Sequence, residues 1–205
     1  MKKILICSIP MREQVAKTVY TSNDRSLPTS ERSFCHPILS FLEKTARPDD
    51  EFKTILLIKK DRAGFYKKNI DEFKAEMDDV LKATGATAEY VTIDTDFSED
   101  KRTHEMLMGA LVDEIDAGAH ILADITYGPK DVPVIIFAAL SFAENFLGCE
   151  VENIVYGQAE FKNNEVVSSR LCDMSPLYFL SSVANTIQCD DPAKAKQMLH
   201  TLISL

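Results

Sequence analysis

In the run His120-Ile121-Leu122-Ala123-Asp124-Ile125-Thr126-Tyr127-Gly128-Pro129-Lys130-Asp131-Val132-Pro133, a carboxylate, a hydroxyl, a phenol, a glycine and an ammonium follow one another where an apolar stretch gives way to turn residues. Together these groups could bind an anion. Lys130 is a point cation that needs no fixed orientation, Thr126 offers a hydroxyl, and Gly128 lets backbone approach a ligand with no side chain in the way. If a helix starts after Gly128, its unpaired N–H groups and partial positive charge meet at the same place, and phosphate is the anion such a site favours. The same residues also make an ordinary strand-to-helix turn, in which Gly128 and Pro129 serve the bend and Asp124 accepts backbone hydrogen bonds. Residue types alone leave both readings open.

The elements that must position this loop can be read from apolar patterning. Residues 4–9 form a continuous apolar run, as in a strand covered on both faces. A polar connection over 11–33 is long for a compact domain and has the length of a lid, a hairpin insertion or a binding loop. Helix one is expected over 34–45, stopping before Arg47-Pro48. Strand two is expected over 54–58, helix two over 70–83, strand three over 88–93, and helix three from Met106 up to Gly118. Strand four covers 119–125. Helix four starts at Asp131 or Val132, with Pro133 tolerated in its first turn, and reaches Phe146. It is apolar almost all round, which marks a buried or subunit-facing helix. Strand five covers 151–156, a last strand 165–171 follows the turn at Lys162-Asn163-Asn164, and two short helices follow Ser175. This alternation predicts an α/β fold, Rossmann-like and doubly wound, with a mainly parallel six-stranded sheet and short C-terminal helices. Residues 1–174 form the ligand-binding domain and 175–205 a helical appendix. In such a sheet ligands bind beyond the carboxyl ends of the strands, where Thr126 to Lys130 would lie.

Composition excludes several partners. A net charge of −9 disfavours holding long nucleic acid, which needs a basic face. No apolar run reaches the roughly 18 residues of a membrane span, and the apolar start is too short for a signal-peptide core, so the expected location is the cytoplasm, away from membranes. The five cysteines are odd in number and widely spaced, and reduced thiols are expected. None of the four histidines has metal-ligand spacing; His104 is expected at the surface and His120 at a strand start. The basic cluster Lys59, Lys60, Arg62, Lys67 and Lys68 reads as a solvated loop or as a rim that touches a ligand.

The strand-four segment resembles the signature of the CRISPR-associated DxTHG proteins, an Asp-x-Thr-His-Gly-Phe-Arg run with a nearby proline that closes strand four of a CARF (CRISPR-associated Rossmann fold) domain. Asp124, Thr126, Gly128 and Pro133 match it. The likeness extends to Asn153-Ile154-Val155-Tyr156-Gly157, similar to the family's strand ending in Tyr-Gly, to the polar insertion after strand one, and to Ser175-Pro176-Leu177. Tyr127 stands where the family has His, Pro129 where it has an aromatic, and Lys130 where it has Arg. Tyrosine can still stack and donate a hydrogen bond, and lysine can still hold a phosphate, without arginine's bidentate geometry.

The resemblance implies a homodimer that binds cyclic oligoadenylate, with cyclic tetra-adenylate favoured, across its two-fold axis in type III CRISPR antiviral signalling. Ser8, Pro10, Asp124, Thr126, Tyr127, Gly128, Lys130, Tyr156 and Gly157 would bind it. No cofactor and no metal are implied. It further allows a metal-independent ring nuclease, with Lys130 stabilising the phosphorane charge and Thr126 and Ser8 as positioning groups. Alternatives are a sensory CARF domain without cleavage belonging to a longer effector, a Rossmann-like enzyme acting on another nucleotide, and a partner-binding module. A HEPN ribonuclease site is not expected in 175–205, where His200 has no arginine near it. Against an ordinary nucleotide enzyme, Gly-x-Gly-x-x-Gly, P-loop and Gly-x-Ser-x-Gly patterns are all missing.

Overall fold

A computed structural model describes residues 1–96, 98, 100–163, 165–187 and 189–204. They form two compact units, Met1–Asp173 and Met174–Leu205. The first is α/β, with β1 (Lys2–Ser8), α1 (Pro37–Thr45), β2 (Glu51–Lys60), α2 (Tyr66–Thr84), β3 (Thr87–Asp96), α3 (Lys101–Asp113), β4 (His120–Asp124), α4 (Asp131–Phe146), β5 (Glu150–Lys162) and β6 (Glu165–Asp173). The six strands make one sheet in the order β3-β2-β1-β4-β5-β6, parallel except for the antiparallel β5–β6 pair. The fold is therefore Rossmann-like and doubly wound. The order reverses between β1 and β4, and the crevice beyond their carboxyl ends is the topological switch point of the sheet.

The two central strands are apolar because both their faces are covered. Ile4, Leu5, Ile6, Ile121, Leu122 and Ala123 are all buried. In α1, Ile38, Leu39 and Leu42 turn inward and join Phe34, Phe52 and Phe73 in a single core.

Several boundaries differ from those expected. Helix one starts at Pro37 and not at residue 34, because the residue before a proline avoids helical angles: His36 is extended (φ −110°, ψ 113°) and Phe34 instead bridges to Thr18. Helix three stops at Asp113, short of Gly118, as its last turn tightens through bonds from Glu114 N to Leu111 O and from Ile115 N to Val112 O. Strand two runs from Glu51 to Lys60, held by ladders to β1 and β3. Lys59 is consequently no solvated loop residue. It is 3% exposed, with its ammonium 3.3 Å from Asp131, which also lies 3.1 Å from His104. His104, expected at the surface, keeps its side chain 35% exposed.

The long connection after β1 covers the edge of the sheet. Thr21 N donates to Ser169 O and Leu171 N to Thr21 O, so this segment satisfies part of β6's outer edge. All five cysteines are free thiols. No helix among the described residues is long and apolar enough to cross a membrane.

The second unit consists of α5 (Ser175–Thr186) and α6 (Pro192–Ile203). Asp191 caps α6, its carboxylate accepting from Ala193 N at 2.9 Å and Lys194 N at 3.4 Å, with Pro192 in the first turn.

Candidate functional site

A cavity of about 620 Å³ opens at the switch point. One wall is the loop after β4, with Thr126, Tyr127 and Gly128. A second is the chain after β1, from Pro10 and Arg12 to Tyr20. The third is β5 where it runs past the parallel sheet, with Tyr156, Gly157 and Phe161. Six residues expected to bind the ligand therefore come together here: Pro10, Thr126, Tyr127, Gly128, Tyr156 and Gly157. Ser8, Asp124 and Lys130 are placed differently. Ser8 is buried beneath Gly128, Asp124 is buried at the end of β4, and Lys130 is exposed at the start of α4.

Asp124 is an anchor. One carboxylate oxygen accepts from Thr126 N at 2.8 Å and the other from Ile38 N at 3.3 Å. Burial pushes its carboxyl above the ordinary value, against the opposing pull of Thr126, His36 and Ile38 N–H. Thr126 Oγ1 in turn accepts from Gly157 N at 2.7 Å, and the Tyr127 hydroxyl donates to Cys35 O at 2.6 Å. Burial, followed by the nearness of Tyr20 and Asp124, raises the Tyr127 phenol well above its ordinary value, so it stays protonated. The polar groups of this loop thus tie β4 to α1 and β5. What the loop offers a ligand is its outer surface.

The N-terminus of α1 is closed in the same way. Glu76 of α2 accepts from Cys35 N at 3.0 Å and from His36 N at 3.4 Å, Asp124 takes Ile38 N, Leu39 N bonds to His36 O, and Pro37 has no N–H. In a dinucleotide fold the helix after the first strand presents these donors to a pyrophosphate. Here internal carboxylates already hold them.

Glu76 gives a pH signature. Burial raises its carboxyl, but the His36 imidazole 3.5 Å away, the Cys35 N–H and the Lys17 ammonium outweigh burial and hold it below its ordinary value of 4.5. A carboxyl with a depressed folded pKa contributes stability that is fully present above the unfolded value and is lost as pH falls through the folded one. Glu76→Gln is expected to cost about 1–2 kcal/mol at neutral pH, since charged hydrogen bonds become neutral ones. The difference from the parent should shrink as the pH falls below 4.5. Urea unfolding across a pH series checks this; a constant difference at all pH values would contradict it.

Sequence reasoning did not identify Arg12, Gln14, Tyr20 or Phe161, all of which line the cavity. The length of the 11–33 connection was the available signal, but it does not say which residues turn inward. Arg12 is the only charged residue of the wall among the described residues. None of the five basic residues near the end of β2 lines the cavity, and Lys59 is paired elsewhere with Asp131 and Lys60 with Asp94. No metal-binding group of His, Cys, Asp and Glu occurs among the described residues.

Compared with known proteins, the chain matches no family model and no curated protein sequence at a significant level.

Proposed function

We propose that this chain is a CARF-type sensor that binds cyclic oligoadenylate, cyclic tetra-adenylate foremost, between two copies related by a two-fold axis. The observation that carries the reading is the chemistry of the cavity wall. In a chain with 32 acidic and 23 basic residues, the described wall holds Arg12, three tyrosines and a phenylalanine and no carboxylate. Aromatic faces accept bases by stacking, and a lone guanidinium accepts phosphate.

Position and size support the same reading. The wall includes the loop that carries the DxTHG-like signature, at the switch point where such a sheet holds ligands. A volume of about 620 Å³ suits a drug-sized ligand, not a whole ring of four nucleotides, so a ring calls for two cavities facing each other. On α4, Val134, Ala138, Phe142 and Phe146 follow at four-residue spacing and are all exposed, an apolar stripe fit for a second copy. The closed N-terminus of α1 argues against an enzyme using a dinucleotide in the usual way. Sensing is favoured over cleavage, because Ser8 lies beneath Gly128 and Lys130 is not part of the cavity wall.

A thermal-shift screen tests the proposal. Cyclic tetra-adenylate should raise the melting temperature at micromolar concentration, while linear AMP and NAD should not. Stabilisation by NAD with no response to any cyclic oligoadenylate would overturn it.

A further inference from the structure

Asn69 lies in the first turns of α2, is 0% exposed, and spends its side chain on the loop after β1. Its amide nitrogen donates to Pro10 O at 2.6 Å and to Arg12 O at 2.9 Å. Those two acceptors fix which end of the amide is nitrogen. Its Oδ1 is buried with no hydrogen-bond partner. A buried polar group with an idle acceptor is costly, and an apolar residue would serve the core better. The two donations are what this amide accomplishes, and both go to the segment that carries the wall's only described charge. The ends of this loop are firmly bonded, Ile9 N to Leu57 O at 2.9 Å and Phe34 N to Thr18 O at 2.9 Å, but between them, over residues 11–16, the other holds are weaker: Lys68, exposed, reaches Glu13 O at 3.4 Å, and the Cys35 thiol lies 3.8 Å from Val15 O.

We infer that Asn69 is a positioning residue that holds the loop after β1 so that Arg12 meets a phosphate of the ligand. The inference rests on the reading above that the cavity takes a phosphate-bearing ring. It assigns the anion contact to the guanidinium of Arg12, which can grip two phosphate oxygens at once. It also makes affinity depend on a residue that never touches the ligand.

Calorimetric titration with cyclic tetra-adenylate, on the parent, Arg12→Gln, Asn69→Asp and the double variant, tests this. Arg12 is exposed, so Arg12→Gln should fold as the parent does and lose roughly tenfold to a hundredfold in affinity. Asn69→Asp keeps the size but sets a carboxylate against two carbonyls, and should also weaken binding. If Asn69 acts through Arg12, the double variant binds no worse than Arg12→Gln alone; a merely structural role would make the two losses add. Limited trypsin digestion without ligand gives a second readout, since the loop contains the Arg12–Glu13 bond. Asn69→Asp should be cut there roughly tenfold faster than the parent, because cleavage tracks the open population of the loop. Arg12→Gln binding as tightly as the parent, additive losses, or unchanged cleavage would each overturn the inference. A parent that binds no cyclic oligoadenylate would instead overturn the functional reading and the role of Arg12, while the digestion still decides whether Asn69 holds the loop.

Discussion

Asp124→Ala is expected to lower the melting temperature by about 5–15 °C. The alanine leaves Thr126 N and Ile38 N without the carboxylate they now share, inside a region where Asp124 is 3% exposed. Each orphaned donor costs about 1–3 kcal/mol, set against relief from burying a charge, so a net loss of about 2–4 kcal/mol follows. For a chain of this size 1 kcal/mol moves the midpoint by about 2–4 °C. Asp124→Asn keeps the volume and one acceptor oxygen and should fall between the parent and the alanine variant. Thermal denaturation with both variants checks the order. An alanine variant as stable as the parent would show that the carboxylate does not anchor the loop.

Gly157→Val is expected to destabilise the fold by about 1–3 kcal/mol or more and to deform the cavity. A Cβ at this position would lie 2.2 Å from Pro37 Cγ, 2.8 Å from Pro37 Cβ and 3.2 Å from a ring carbon of Tyr20. The first turn of α1 packs directly onto β5 here, and Gly157 N also donates to Thr126 Oγ1. A side chain must therefore push α1 away, strain that bond, or move Tyr20 out of the cavity wall. Gly148→Ala is a control for glycine replacement as such: its φ of +64° brings backbone strain, but no atom lies within 4 Å of the added Cβ. Chemical denaturation should rank the parent first, Gly148→Ala next and Gly157→Val last. Equal losses for the two variants would mean that the contact with Pro37 is not what requires glycine.

These expectations show where the sequence was legible. The unbroken apolar runs of β1 and β4 reflect strands covered on both faces and mark them as central, while the reversal of order between them comes from the strand pairing. The loop from Thr126 to Gly128 follows from the break in the second run. The role of Asp124 was legible only as one of two alternatives, because its partner Ile38 lies 86 residues away. Pro37 carried a local signal for the start of α1, the same proline rule that ends the helix before Pro48, and the apolar residues at 34 and 35 masked it. Lys59 reads as solvated in sequence because nothing nearby pairs with it; its partner Asp131 is 72 residues away. Arg12 was hidden for a similar reason, since Asn69, which holds its loop, is 57 residues away.

If two copies of the chain close around one cyclic oligoadenylate, ligand and chain combine in a fixed ratio. Isothermal titration of the protein with cyclic tetra-adenylate, with its oligomeric state followed by light scattering, tests this most directly. The expected result is saturation at one ring per two chains, with a dimer in the bound state. No binding, or saturation at one ring per chain on a monomer, would contradict it.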